Sequence, residues 1–317
     1  MGLFARLAKP FFLGRHIESE LRSGGKFEAL VPPLKSIGDF HFVQFRKRHE
    51  KFGNLYGLSV ARDLNKAKIV AYFEYLDRLA FFQFSNEYQF NSTNGVAAHK
   101  FKSLAVRSAM SELLERDSLL AHWYLQVPLK KGIVISILEN QIKNELYEHG
   151  YALKVFETYI GFKPTTICFI QSISEGTFSS GSCLGVGEGA STKAIIEAII
   201  NLFYGGYGQS KEILCQKLEE KGIQNLEDHR TYWLYKHPLP DWISSDIESS
   251  SKRFKPALKP EFHVQVLTND PFPVVHVRSA VLLDLNLGLP SKPDLEKLTL
   301  RFPKCNLPSQ NQPHPFF

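Results

Sequence analysis

The sequence predicts an α/β (α+β) layered fold, and three observations carry that expectation. Short apolar segments rich in β-branched residues recur at 132–138, 165–171, 263–267 and 274–277. Stretches of helical periodicity, at 63–78, 104–124, 140–149 and 191–203, lie between and before them. The 317 residues are 44% hydrophobic and 22% charged, which suffices to bury a full core and excludes bulk disorder. Alternation of the two kinds of element is what packed layers of sheet and helix require.

Taken in order, residues 1–55 mix basic, aromatic, Pro and Gly residues without one period and are set apart as an N-terminal segment, with 56–317 as the main domain. The charged run Arg46 to Lys51 reads as a solvated helix face. Asn91 to Gly95 is a turn cluster between the first two helices. Ser179 to Gly189, rich in Gly and Ser, reads as a loop opening the helix at 191–203, and Gly205, Gly206 and Gly208 close that helix. Residues 209–260 are charged and helical, then irregular, with a Ser-rich turn at Ser249 to Ser251. From Phe302 the tail carries Pro303, Pro308, Pro313 and Pro315 and must be extended.

Several classes of function are excluded early. Cys168, Cys183, Cys215 and Cys305 stand far apart with no CxxC pair, against a disulfide framework or zinc ribbon and for a reducing compartment. Arg6 stands where a myristoylation signal needs Ser or Thr, and the stretch around Pro10 to Gly14 is too short for a signal peptide. No apolar run reaches the roughly 18 residues of a spanning helix, so no membrane partner is expected and the location expected is cytoplasmic. With 38 basic and 32 acidic side chains the net charge is +6, a mild bias toward anionic ligands that a solvated basic surface explains equally well. No aromatic–basic strand pattern suggests a nucleic-acid partner. Gly185, Gly187 and Gly189 lack the Lys-Ser/Thr of a phosphate loop, Cys183 has no His or Asp partner nearby in sequence, and His276 and Arg278 read as edge residues of a strand.

The most informative feature is an internal echo. Ala67, Ala71, Glu74, Asp77 and Arg78 share their offsets with Ala105, Ala109, Glu112, Glu115 and Arg116. Small residues four apart let a helix approach its neighbour closely. Carboxylates three apart fall on one helix face and can share a divalent cation, and Mg2+ favours such oxygen donors beside substrate phosphates. The adjacent Arg offers a fork for phosphate or carboxylate. Either copy alone is matched by many solvated helices, but Leu113, Leu114, Leu119 and Leu120 around the second pair do not suit a surface helix. A third copy keeps Ala194 and Ala198, places Asn201 and Tyr204 where the carboxylates were, and leaves Glu197 one turn earlier.

On these residues the sequence resembles the YcaO family. Ser92-Thr-Asn94-Gly95-Val-Ala-Ala98, then Ala105, Ala109, Glu112, Glu115-Arg116-Asp117 and Trp123, is similar to the family's Ser-Asn-Gly-x-Ala-Ala-Gly … Glu-x-x-Glu-Arg-Asp … Trp block. Residues 63–78 resemble an earlier block, 191–204 a worn later helix, and the ending from Gln312 to Phe317 the Pro-x-Pro-x-Pro tail of azoline-forming members. The resemblance implies layered sheets and helices with acidic residues on core helices. It implies ATP- and Mg2+-dependent phosphorylation of a peptide backbone amide oxygen, with azoline closure by a neighbouring Cys, Ser or Thr. By the same resemblance Glu74, Asp77, Glu112 and Glu115 hold the metal and, with Arg116, the nucleotide, while Pro313 and Pro315 in the tail act beside the substrate amide. The implied partners are a ribosomal precursor peptide and a separate ThiF-like or leader-binding protein; a homodimer is left open. The chain departs from the family pattern at His99 and Lys100, at Ser59-Val60-Ala61 in place of Gly-Lys-Gly, at Val70, at Asp77 for Glu, and at Phe317 for the last Pro. These departures keep a second reading open: a non-catalytic scaffold or peptide-binding subunit.

Overall fold

The computed structural model describes residues 13–88, 92–132, 136–204, 211–221, 231–240, 243, 256–285, 291–303 and 314. In chain order the elements begin with α1 (residues 13–22), β1 (Lys26–Leu30), β2 (His41–His49), β3 (Gly53–Ala61), α2 (Leu64–Tyr88), β4 (Val96–Ala98) and α3 (Lys102–Leu125). There follow β5 (Lys130–Lys131), α4 (Ile137–Glu148), β6 (Tyr151–Glu157), β7 (Thr165–Ser172), β8 (Phe178–Leu184), α5 (Glu188–Tyr204) and α6 (Lys211–Lys221). A π-helical turn (Tyr232–Lys236), β9 (His263–Thr268), β10 (Val274–Arg278) and α7 (Lys292–Arg301) complete the set. The chain forms two compact units: residues 1–32, 37–111 and 262–279 make the first, residues 33–36, 112–261 and 280–317 the second.

In the first unit β1, β2 and β3 form an antiparallel sheet, and β4, β10 and β9 form another. Phe45 pairs with Phe27 across β1 and with Gly57 across β3, and its ring meets Phe27, Tyr72 and Tyr75 edge-on. Such aromatic contacts add to simple burial. This sheet was not foreseen, and the reason is physical. Phe42, Val43, Gln44 and Phe45 are all buried in succession, so β2 shows no alternation of apolar and polar residues. The run from Arg46 is likewise not on a helix: Arg46, Lys47, Arg48 and His49 end β2, and the chain turns into β3. Arg46 pairs with Glu28 at 2.6 Å and Lys47 with Glu20 at 2.7 Å. The expected boundary at 55/56 falls inside β3.

The second unit contains the antiparallel sheet β5-β6-β7-β8, with α5 lying against β7 and β8. Its core gathers Trp123, Tyr124, Phe156, Phe169, Phe178 and Trp233. Two expectations are corrected. The strand expected at 132–138 is replaced by the short β5 and by α4, whose N-terminus is set by a capping box between Ser136 and Glu139; residues 133–135 lie outside those described. The loop expected from Ser179 is instead β8. Its Ser and Gly residues signal a turn by composition, yet they are small because α5 packs directly over them, and Ser179 Oγ donates to Ala198 O at 2.7 Å. Gly205, Gly206, Gly208, Ser249 to Ser251, Cys305 and most of the tail lie outside the described residues. Cys168, Cys183 and Cys215 are free thiols. Among the described residues no helix is long and apolar enough to cross a membrane.

One buried side chain links this core to pH. His122 is 1% exposed. Its Nε2 accepts from the amides of Tyr159 and Ile160 at 3.1 and 3.0 Å, so the ring proton sits on Nδ1, which donates to Val127 O at 3.0 Å. Burial pulls its pKa down to about 4, against a partial upward effect of the Val127 bond. The folded form therefore binds a proton less readily than the unfolded chain, whose His titrates near ~6.5. The contribution is complete above about pH 6.5 and is lost as the pH falls to about 4, amounting to about 3 kcal/mol. Denaturant titrations across that window should show this slope, and His122→Gln should flatten it; an unchanged slope would count against the neutral buried ring.

Candidate functional site

In the first unit the alanine spacing of α2 serves a close approach to β3. Ala67 and Ala71 are fully buried, and a Cβ placed on Gly57 would fall onto Ala71 O and Tyr75 N. With strand and helix this near, the Leu58 amide donates to Glu74 Oε2 at 2.9 Å. The other oxygen of Glu74 accepts from Arg78 Nη2 at 2.7 Å, and the Arg78 guanidinium lies 4.5 Å from the centre of the Tyr56 ring. Asp77 Oδ1 accepts from the Ala98 amide and so ties α2 to β4.

The same unit carries Asn94 Oδ1 and His99 Nδ1, both buried and without a hydrogen-bond partner among the described residues. The His99 ring stacks on Phe73 at 5.3 Å, and burial, then the charge of Lys100, lowers its pKa. Lys100 Nζ lies 5.2 Å from the Phe101 ring centre.

The second unit repeats the strand–helix contact. A Cβ on Gly181 would fall onto Ala194 O and Ala198 N, and the next amide, that of Ser182, donates to Glu197 Oε2 at 2.8 Å. The structural counterpart of Glu74 is therefore Glu197, and that of Ala71 is Ala194. This corrects the register of the third sequence copy, which aligned Asn201 with Glu74: Asn201 instead caps Ser180 O at 2.9 Å, and the acid is present on α5.

Around Glu197 a larger cluster assembles. Glu115 Oε1 accepts from Ser182 Oγ at 2.6 Å, and its Oε2 from the Leu184 amide at 2.8 Å. Arg116 donates through Nη1 to Ser182 Oγ at 3.1 Å and through Nη2 to Glu197 Oε1 at 3.4 Å. Arg116 Nε is buried and has no acceptor among the described residues. Burial opposes the Arg116 charge, yet Glu197, Glu115 and Glu112 together outweigh it and raise the pKa. Burial raises the Glu197 pKa, Arg116 opposes the rise, and Glu115 adds to it. Cys183, beside these acids, is pushed up to about 11 by burial and then by Glu115, so it is a thiol and not a nucleophilic thiolate at neutral pH.

Of the residues singled out in the sequence, the structure thus places Glu74 and Asp77 in the first unit, and Glu112, Glu115 and Arg116 in the second. Glu197 and Ser182 were missed as site residues. The signal was available: Ala194 stands three before Glu197 as Ala71 stands three before Glu74, and a strand glycine precedes each. Pro313 and Pro315 lie outside the described residues. His314, between them, is fully buried, and its carbonyl accepts from Trp233 Nε1 at 3.0 Å.

The donors suit a magnesium-bound polyanion. All are carboxylate or hydroxyl oxygens, the hard donors Mg2+ prefers, and the orphan Arg116 Nε–H is a buried donor in want of an anionic acceptor. Among the described residues no three His, Cys, Asp or Glu gather as a metal cluster. Mg2+ takes one or two carboxylates with phosphates and water, so pairs suffice.

A family model described as YcaO cyclodehydratase, ATP- and Mg2+-binding, matches residues 80–260. Among solved structures, that of YcaO from Methanopyrus kandleri bound with AMPPCP and Mg2+ is 16% identical, covers 87% of this chain and 91% of its own, and has a TM-score of 0.56. A heterocyclase in complex with substrate and cofactor is 17% identical over 61% of this chain and 28% of its own, with a TM-score of 0.43. The E. coli microcin synthetase McbBCD complex with pro-MccB17 bound gives 14% identity over 80% and 87%, with a TM-score of 0.47. The first of these is a likeness of fold. No curated protein matches.

Proposed function

The chain belongs to the YcaO family of ATP- and Mg2+-binding cyclodehydratases, and from that premise we propose that it activates a backbone amide of a ribosomal precursor peptide for azoline closure. In this reaction the side chain of a Cys, Ser or Thr bonds to the carbon of the preceding amide. The nucleophile gives up its proton, the amide oxygen takes the γ-phosphoryl group of ATP and ADP leaves. The C–O bond then breaks with loss of phosphate while the nitrogen loses its proton and C=N forms, so the peptide loses the elements of one water.

The observation that carries the reading is the Glu115–Arg116–Glu197 cluster, a partly buried group with more negative than positive charge and one guanidinium N–H that has no acceptor among the described residues. Glu115 and Glu197, with Glu112 on the same helix as Glu115, are the proposed metal-side carboxylates of the second unit. Glu74 and Asp77 are those of the first. Arg116 Nε donates to a phosphate oxygen while Nη1 and Nη2 hold it in place on Ser182 and Glu197. Bound Mg2+ neutralises phosphate charge during phosphoryl transfer. Pro313 and Pro315 belong to a tail proposed to act beside the substrate amide. Substrate capture falls to a ThiF-like or leader-binding partner.

Calorimetry with Mg-ATP tests this. Saturable binding is expected, weakened at least about tenfold by Glu115→Gln and by Glu112→Gln, the scale on which metal-site perturbations act. Absence of binding at millimolar nucleotide, with the partner present, would overturn the enzymatic reading and leave a scaffold that has kept the fold.

A further inference from the structure

The two strand–helix contacts begin alike and are finished differently. In the first unit the residue after the strand glycine is Leu58, and its amide alone reaches the helix glutamate. In the second unit it is Ser182, whose amide and hydroxyl together reach three charged side chains carried by α3 and α5. Ser182 is 7% exposed. A hydroxyl has one proton to give, and guanidinium can only donate. The directions are therefore set: Ser182 Oγ–H donates to Glu115 Oε1 at 2.6 Å and Oγ accepts from Arg116 Nη1 at 3.1 Å.

The consequence is a spacing. Arg116 Nη1 and Glu115 Oε1 stand 4.0 Å apart, at the outer limit of an ion pair, with the hydroxyl bonded to both. Side-chain exposures of 11% for Arg116 and 14% for Glu115 mean that little water is at hand to keep opposite charges from closing on each other. Remove the hydroxyl, and a direct Arg116–Glu115 pair becomes the favoured arrangement. That pair would turn Glu115 away from its present direction and draw Arg116 off Glu197. Packing alone does not call for the hydroxyl, since Leu58 shows that a backbone amide suffices to pin the helix glutamate.

Resting on the function proposed above, we infer that Ser182 is a positioning residue of the magnesium–nucleotide site: its hydroxyl holds Glu115 and Arg116 apart, so that one keeps lone pairs for the metal side and the other keeps Nε for phosphate. It touches neither metal nor nucleotide in this role.

The test is a titration of Mg2+ into the full chain with a non-hydrolysable ATP analogue, read by calorimetry, for wild type, Ser182→Ala, Ser182→Thr and Ser179→Ala. Ser179 is the control, because its hydroxyl bonds Ala198 O on the same strand–helix contact without touching a charged group. Ser182→Ala should raise the Mg2+ needed for half-saturation by roughly tenfold, and Ser182→Thr, which restores the hydroxyl, should return it to within about threefold of wild type. Ser179→Ala should lower the unfolding midpoint and leave the Mg2+ response in place. A Ser182→Ala shift no larger than that of Ser179→Ala overturns this inference alone. No saturable binding by the wild type overturns it together with the proposed function.

Discussion

Asp117→Asn is expected to cost the second unit about 3–5 kcal/mol, the range for leaving one member of a buried ion pair without its partner. Asp117 and Arg301 have no exposed side-chain surface and meet through two parallel bonds of 2.6 Å, Nη1 to Oδ1 and Nη2 to Oδ2. Oδ1 also accepts from the Leu283 amide at 2.9 Å, so one carboxylate ties α3, the 280–285 segment and α7 together. The Arg301 guanidinium lies near two rings, 5.1 Å from the centre of Phe162 and 5.2 Å from that of Phe302. An Asn leaves the guanidinium buried without a counter-charge, and no water can reach it. Urea unfolding followed by the fluorescence of Trp123 and Trp233, both in this unit's core, measures the loss. Arg301→Met should cost a similar amount, and the double variant Asp117→Leu with Arg301→Met much less than the sum, because the desolvated charge is then gone altogether. A loss under about 1 kcal/mol for Asp117→Asn would place the pair among weakly contributing ones. Asp117 thus reads as structural although it directly follows Glu115 and Arg116.

Gly181→Ala is the second large effect, about 3 kcal/mol at the upper end of overpacking costs. The added methyl meets the backbone of α5 at Ala194 O and Ala198 N, and backbone cannot swing aside as a long side chain would. The helix must lift off β8, which stretches the Ser182–Glu197 bond and loosens the bond from Ser179 to Ala198. Gly189→Ala on α5 is the matched control. A Cβ there meets nothing within 4 Å, so the change should be neutral or stabilising, as Gly to Ala on an unstrained helix generally is. Equal midpoints for the two variants in denaturant would contradict the close approach. If the function is as proposed, Gly181→Ala also weakens Mg-nucleotide binding, since Glu197 travels with the helix.

How far the sequence could be read depended on whether the signal was local. The helices α2, α3, α4 and α5 were legible because apolar spacing at the helical period reports a buried face directly. The strands β7, β9 and β10 were legible as short β-branched runs. β2 was not, since both faces at Phe42 to Phe45 are covered and alternation vanishes. β8 was not, since a strand beneath a closely packed helix selects Ser and Gly, the very residues that signal loops. Among the candidate residues, Glu74, Asp77, Glu112, Glu115 and Arg116 stood out by their repeated offsets. Glu197 was noticed but assigned to the wrong register, because two alanine pairs can be superposed in more than one way when only spacing is known.

By itself the sequence determined which helices carry paired carboxylates and why alanines accompany them, since offsets along one helix are settled by its own period. Tertiary structure alone decided which acids share a centre. Glu115 and Ser182 are 67 residues apart, and Arg116 and Glu197 are 81 apart. A glycine on β8 admits α5, and with it Glu197, to contact distance, and no periodicity within any one segment encodes that approach.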